Sequence, residues 1–229
     1  MRLDAHQHFT PEHRPEHFET ILKRNRFDGS IAVAAGARDT AQLLEAASRF
    51  DFIRGVVACG EWEEIRAWRG HSKLRGVVAM ADWPVSVFEQ IAQCGLPVEL
   101  EDLSAAVGLG QKVPSLRVAI VHLGLPEECP DWERAIEGAA CNPRFAAKAS
   151  GLITHGPKPW NAARFRPWVQ HALAAFGRER VMFGSDWPRT LPDNVWKQAL
   201  AAFTQAIGPQ STETREWLLG GAAARFYGI

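Results

Sequence analysis

The 229-residue sequence lacks a net charge, because 26 lysines and arginines are balanced by 26 aspartates and glutamates. With no net field to draw the chain onto a polyanion, neither nucleic acid nor a membrane surface is expected as a partner. Paired cysteines are also missing. Cys59, Cys94, Cys129 and Cys141 are scattered without a C-x-x-C spacing, which fits neither a disulfide framework nor a cysteine zinc site. A reducing cytoplasm is the expected home. No apolar run approaches the roughly eighteen residues that suggest a membrane span. Met1-Arg2-Leu3-Asp4 turns polar too early for the apolar segment of a signal peptide. Internal repeats, low-complexity segments and Pro-, Gly- or Ser-rich linkers are absent, so residues 1–229 read as one domain. A hydrophobic content of 46% is enough for one sizeable core. The expected partner is a small-molecule substrate, and a homo-oligomer is compatible with this reading.

What is present is alternation. Short apolar runs predict strands at Arg2 to Ala5, Ser30 to Ala35, Ile53 to Ala58, Leu74 to Met80, Pro97 to Leu100, Arg117 to Val121, Phe145 to Ala149 and Arg180 to Gly184. Between them, helical spacing or composition predicts helices at Asp39 to Phe50, Glu61 to Arg69, Val85 to Cys94, Asp131 to Ala140, Arg166 to Phe176 and Asn194 to Ile207, with a last one from Thr212 to Phe226. The crossovers around Phe18 to Lys23 and Ser104 to Lys112 carry a weaker helical pattern, which leaves a doubly wound sheet as the alternative fold. Strict alternation of eight units predicts an α/β fold, a compact (β/α)8 TIM barrel.

In such a barrel the site forms at the C-terminal strand ends, so the polar residues there are the candidates. His6 and His8 end the first strand at i and i+2 and share a face, a pair able to hold a divalent metal or orient water. His122 ends the run Val118-Ala119-Ile120-Val121, where it is placed to ligate or to donate to a substrate oxygen; a satisfied core histidine is the bland alternative. Asp186 closes Val181-Met182-Phe183-Gly184-Ser185-Asp186 and is placed as a general base. Its alternative role is a helix N-cap, but Pro188, Pro192 and Asp193 offer the next helix its own start. Lys148 and Ser150 share a face at the seventh strand, and a lysine there is costly to bury unless it serves an anion or a polarised carbonyl, whereas an offset of one residue would point it outward. Glu99 and Glu101 share a face at the fifth strand, next to Asp102. Arg38 and Arg189, in the loops after strands two and eight, are candidates to grip a substrate carboxylate or hydroxyl. Trp83, Trp160 and Trp187 follow strands four, seven and eight, where indoles can wall a pocket. His13-Arg14-Pro15-Glu16-His17 matches an inverted zinc-protease spacing, but that motif needs a continuous helix and Pro15 places His13 before the helix begins.

Taken together, these motifs make the sequence resemble the amidohydrolase-2 family, and within it the branch of sugar lactonases and pyrone-dicarboxylate lactonases. Leu3-Asp4-Ala5-His6-Gln7-His8-Phe9 is similar to the family's opening, Lys73-Leu74-Arg75-Gly76-Val77 to its fourth strand, and His122-Leu123-Gly124 to its D-H-L-G. Lys148-Ala149-Ser150-Gly151-Leu152 resembles K-L-S-G-L, Met182 to Pro188 resembles M-F-G-S-D-W-P, and Ala222 to Gly228 resembles the closing helix. The resemblance implies a catalytic set of His6, His8, His122 and Asp186, with one zinc or manganese ion held there in some relatives and metal-free catalysis in others. It implies a hydrolase opening a lactone by attack of activated water, with Asp186 taking the proton and His122, a metal or Lys148 stabilising the oxyanion. A metal-dependent decarboxylase of an aromatic or muconate-like acid is the alternative reaction, and a binding protein without catalysis is the third reading. Val78 and Ala79 stand where the family often has Arg-His, and Val121 stands where it has Asp. The chain is also shorter, mainly after strands one and four, so the substrate-reading parts have changed.

Overall fold

All eight predicted strands form. The computed structural model describes residues 1–80, 82–156, 159–189 and 195–229. The chain order is β1 (Leu3–Gln7), α1 (Pro15–Arg24), β2 (Gly29–Val33), α2 (Ala37–Arg49), β3 (Ile53–Ala58), α3 (Trp62–Ala67), β4 (Leu74–Val78) and α4 (Val85–Gln93). It continues with β5 (Val98–Leu100), α5 (Leu103–Lys112), β6 (Val118–Ile120), α6 (Trp132–Ala140), β7 (Phe145–Ala149), α7 (Leu152–His155), α8 (Ala162–Phe176), β8 (Val181–Phe183), α9 (Val195–Ile207), α10 (Thr212–Glu216) and α11 (Ala222–Tyr227). The strands pair in parallel in sequence order from β1 to β8. The two ends of the sheet meet just beyond β8, where the His8 N–H donates to the Trp187 carbonyl at 2.7 Å and the Asp186 N–H donates to the His6 carbonyl at 2.8 Å. The architecture is a (β/α)8 barrel, and the doubly wound alternative is excluded by the strand order.

Period-two alternation sorts the strand side chains into two cores. Leu3, Ala5, Ile31, Val33, Val57, Ala119, Ala146 and Met182 fill the barrel interior. Ala32, Val56, Val77, Ile120, Phe145, Ala147 and Phe183 face the helical ring instead, against Phe18, Leu44, Ile91, Ile136, Phe165 and Phe203. The lower mouth is filled by the end of the chain. Ala222, Ala223 and Tyr227 of α11 join the interior cluster, and Arg117, just before β6, donates to the Phe226 carbonyl at 2.6 Å.

Two of the predicted helices differ by more than their end residues. The helix predicted from Arg166 begins at Ala162, because the Asn161 side chain caps it by accepting from the Arg164 N–H at 3.2 Å, which leaves Pro167 inside the helix. The final helix is broken between α10 and α11 by a wide turn at Trp217–Gly221. Gly220 there lies against the backbone of β1: a Cβ would sit 2.3 Å from the Met1 carbonyl oxygen. The helix predicted from Asn194 runs over Val195–Ile207, and Asn194, Pro192 and Asp193 lie outside the described residues. Among the described residues no helix is long and apolar enough to cross a membrane.

Candidate active site

The C-terminal strand ends surround a cavity of about 890 Å³, and His6, His8, Glu99, Glu101, His122 and Arg189 are among its lining residues. Alternation along β1 would not by itself point His6 into the cavity, because Asp4, two residues earlier, faces α9 and accepts from Trp196 Nε1 at 2.7 Å. The β1–β2 register shifts between Asp4 and Gln7, and this irregularity re-aims His6. Asp4 also accepts from the Ser185 N–H at 2.9 Å and the His6 N–H at 3.1 Å, which ties β1 to the segment after β8. Burial pushes its carboxyl up to about 6, although those donors favour the charged form.

His122 and Asp186 both adopt left-handed backbone, at φ 51° and 58°. Such conformations cost on the order of 1 kcal/mol in non-glycine residues and persist where the surroundings impose them. For Asp186 that surrounding is the seam with β1. Gly184 makes room beside it, since a Cβ there would lie 2.7 Å from His6 Cβ and 2.9 Å from Ser150 Cβ.

The hydrogen bonds fix how the imidazoles present themselves. His8 Nδ1 lies 2.8 Å from the Val33 carbonyl oxygen, which can only accept, so Nδ1 carries a hydrogen and Nε2 is the ring nitrogen left facing Asp186. Nε2 faces Asp186 Oδ1 at 3.5 Å, and among the described residues neither buried atom has a hydrogen-bond partner. Buried polar atoms left in this way call for a guest that can bond to both. His6 Nε2 lies 3.7 Å from the same carboxylate oxygen. Asp186 Oδ2 accepts from the Thr154 hydroxyl at 2.6 Å, with His155 Nε2 at 4.0 Å. Burial raises the Asp186 carboxyl, but the His8 and His122 imidazoles and the Thr154 hydroxyl outweigh it and hold it below the usual carboxylate range. His122 is lowered to about 4, mainly by burial, and His6 well below its ordinary value by burial and the Lys148 charge; both are neutral imidazoles near pH 7. The donor atoms of His6, His122 and Asp186 converge within 4.8 Å, a set that fits one divalent metal ion, with the orphaned Asp186 oxygen turned toward it.

Several predicted substrate contacts have other positions. Lys148 points into the barrel as expected, but its ammonium is buried, pairs with Glu99 Oε1 at 2.6 Å and lies 3.5 Å from His6 Nδ1, so it supports His6 from below and does not line the cavity. Ser150 bonds His122 Nδ1 at 2.9 Å and orients that ring. Trp187 is buried outside the cavity, where Phe18 and Phe9 pack against it. Trp160 stacks on Phe165. Arg38 sits exposed in the first turn of α2, away from the lining. Trp83 and Arg189 do line the cavity, as do both Glu99 and Glu101, the latter 3.6 Å from His122 Nε2. Asp186 lies well before α9 and is not its N-cap. Pro15 opens α1, so His13 precedes the helix and the protease spacing forms no site. The sequence reading missed Asp4, Thr154 and His155. Thr154 and His155 lie just beyond the Lys148-Ala149-Ser150-Gly151-Leu152 motif, which was their available signal.

A model of the amidohydrolase family matches residues 26–229; β1, with His6 and His8, precedes the matched span. The chain is 28% identical to an L-fucono-1,5-lactonase of Burkholderia ambifaria, over 82% of this chain and 80% of that one. It is 27% identical to an L-fucono-1,5-lactonase of Burkholderia multivorans, over 100% of this chain and 96% of the other. A crystal structure of an amidohydrolase from Burkholderia multivorans with bound zinc is similar with a TM-score of 0.86 at 25% identity, covering 100% of this chain and 99% of that one. With the match running from β2 to the last residue on a barrel of the same architecture, the chain belongs to the amidohydrolase-2 family.

Proposed function

We propose that the protein is a lactonase that opens a cyclic ester with a water held between Asp186, His6 and His8. The observation that carries the reading is the buried Asp186 Oδ1, without a hydrogen-bond partner among the described residues, facing Nε2 of His8, which lines a large cavity. The lactonase names of the two Burkholderia relatives support the same choice of bond. Water is a guest that can bond to both atoms. Asp186 Oδ1 takes one of its protons as the oxygen attacks the lactone carbonyl, and later returns that proton to the leaving alkoxide. The developing oxyanion needs a donor. The His122 N–H lies 3.4 Å from Ser150 Oγ, so the Ser150 hydroxyl can accept there and donate to Nδ1, which leaves a hydrogen on Nε2 facing the cavity. Arg189 supplies a positive charge at the rim. In a metal-loaded form His6, Asp186 and His122, the last then presenting an unprotonated ring nitrogen instead of a donor, would hold a zinc or manganese ion, which would supply Lewis acidity and a more acidic water.

The test is acid release from a panel of sugar, dicarboxylate and alkyl lactones, followed with a pH indicator, for wild type and Asp186→Asn. Activity is expected to fall by about 10²–10⁴-fold in the variant. Chelator followed by zinc or manganese reports whether metal takes part. A variant as active as wild type would remove Asp186 from the mechanism and the reading with it.

A further inference from the structure

The cavity is chemically divided. Its carboxylate, imidazole and cationic side chains come from β1 and the residue after it, from β5 and the segment through the end of α5, from the turn after β6 and from the segment after β8. The arc formed by the ends of β2, β3 and β4 and the start of α4 is different: Val33, Ala34, Val78, Met80, Trp83 and Phe88 line it. Among the described residues, no charged or amide side chain from this arc reaches the cavity; the Cys59 thiol and the Trp83 indole are its polar side-chain groups. Trp83 is braced edge-on by Phe88, with ring centroids 5.9 Å apart. A cavity of about 890 Å³ lies near the top of the usual range of roughly 300–1,000 Å³ for small-molecule sites, far more room than a lactone ring alone requires.

A polyhydroxylated ring lying on this arc would bury hydroxyls against carbon, and an unpaired buried hydroxyl is unfavourable. An apolar substituent there removes carbon surface from water on both sides. We propose that the substrate is a lactone bearing an alkyl or aryl substituent, seated against the β2–β4 arc and Trp83 while its carbonyl lies at Asp186. The proposal rests on the lactonase reading for its reacting group and on the cavity wall for its substituent.

Two measurements separate these supports. The first is kcat/KM for δ-lactones whose side chain lengthens one methylene at a time, with glucono-1,5-lactone as the polyhydroxylated comparison. A rise of about fourfold per methylene is expected, the equivalent of about 0.8 kcal/mol, until the wall is covered, with the longer alkyl lactones ahead of the sugar lactone. Trp83→Ala is expected to flatten the series. The second is calorimetric binding of the matching alkyl δ-lactams, which the enzyme need not hydrolyse. Turnover with a flat series, or with the sugar lactone preferred, overturns the apolar substituent and leaves the lactonase reading standing. Lactam affinity that climbs with chain length while no lactone is opened supports the wall and overturns the lactonase reading. Neither turnover nor a gain in binding overturns both.

Discussion

His8 donates its Nδ1 hydrogen to the Val33 carbonyl oxygen, and that bond decides which face of the imidazole the cavity meets. Nε2 is left facing Asp186 Oδ1 at 3.5 Å, a gap that a guest bonding to both would bridge. Ser150 plays a comparable part for His122. Removing an orienting hydrogen bond of this kind typically lowers activity about 10–100-fold. Ser150→Ala is therefore expected to lower kcat by about tenfold or more with circular dichroism unchanged, and steady-state kinetics checks it. The four residues His6, His8, His122 and Asp186 were legible in the sequence because each ends a strand run. The partners that set their protonation were not, because Val33, Ser150 and Thr154 are distant in sequence from the side chains they contact.

At the scale of elements, the meeting of β8 with β1 is the joint on which the site depends. Asp4 accepts hydrogen bonds from β1, from the segment after β8 and from α9. Asp4→Asn places an amide N–H₂ where an acceptor is required, at a cost of about 1–3 kcal/mol, read as a lower urea midpoint. Gly184→Ala forces a methyl group to within 2.7 Å of His6 Cβ. Overpacking of this kind costs about 1–3 kcal/mol, and the displaced imidazole is expected to reduce turnover by more than the loss of stability explains. Thermal melts beside kinetics on the same samples test that difference. Strand positions were readable from apolar runs, and Ile53–Ala58 and Phe145–Ala149 match to the residue. The break at Trp217–Gly221 was not readable, since its cause is the approach of β1 from the far end of the chain.

Across the whole molecule, a polar column runs from the lower mouth to the site. The Tyr227 hydroxyl donates to Glu99, Glu99 pairs with Lys148, and Lys148 approaches His6. Burial raises the Tyr227 hydroxyl well above its ordinary value and lowers the Lys148 ammonium, while Glu99 favours the protonated form of both. Breaking a buried pair strands the remaining charge. Lys148→Met is therefore expected to destabilise the fold by about 3–5 kcal/mol. Adding Glu99→Gln is expected to recover part of it, because the neutral amide still accepts from Tyr227. Chemical denaturation of the two variants measures the recovery. Equal stability of the single and double variants would show that the stranded carboxylate was not the cause.

The order of apolar runs and helical spacers determined the barrel, since period and composition are local properties that the chain carries wherever it folds. The same local signal placed His6, His8, His122 and Asp186 at strand ends. Tertiary structure alone decided that Lys148 and Ser150 act on other side chains, that Trp187 belongs to the core and Arg38 to the surface, and that the β2–β4 arc is apolar. Those outcomes depend on which residues from separate strands and helices meet, and such meetings are fixed by closure of the sheet and not by any one segment.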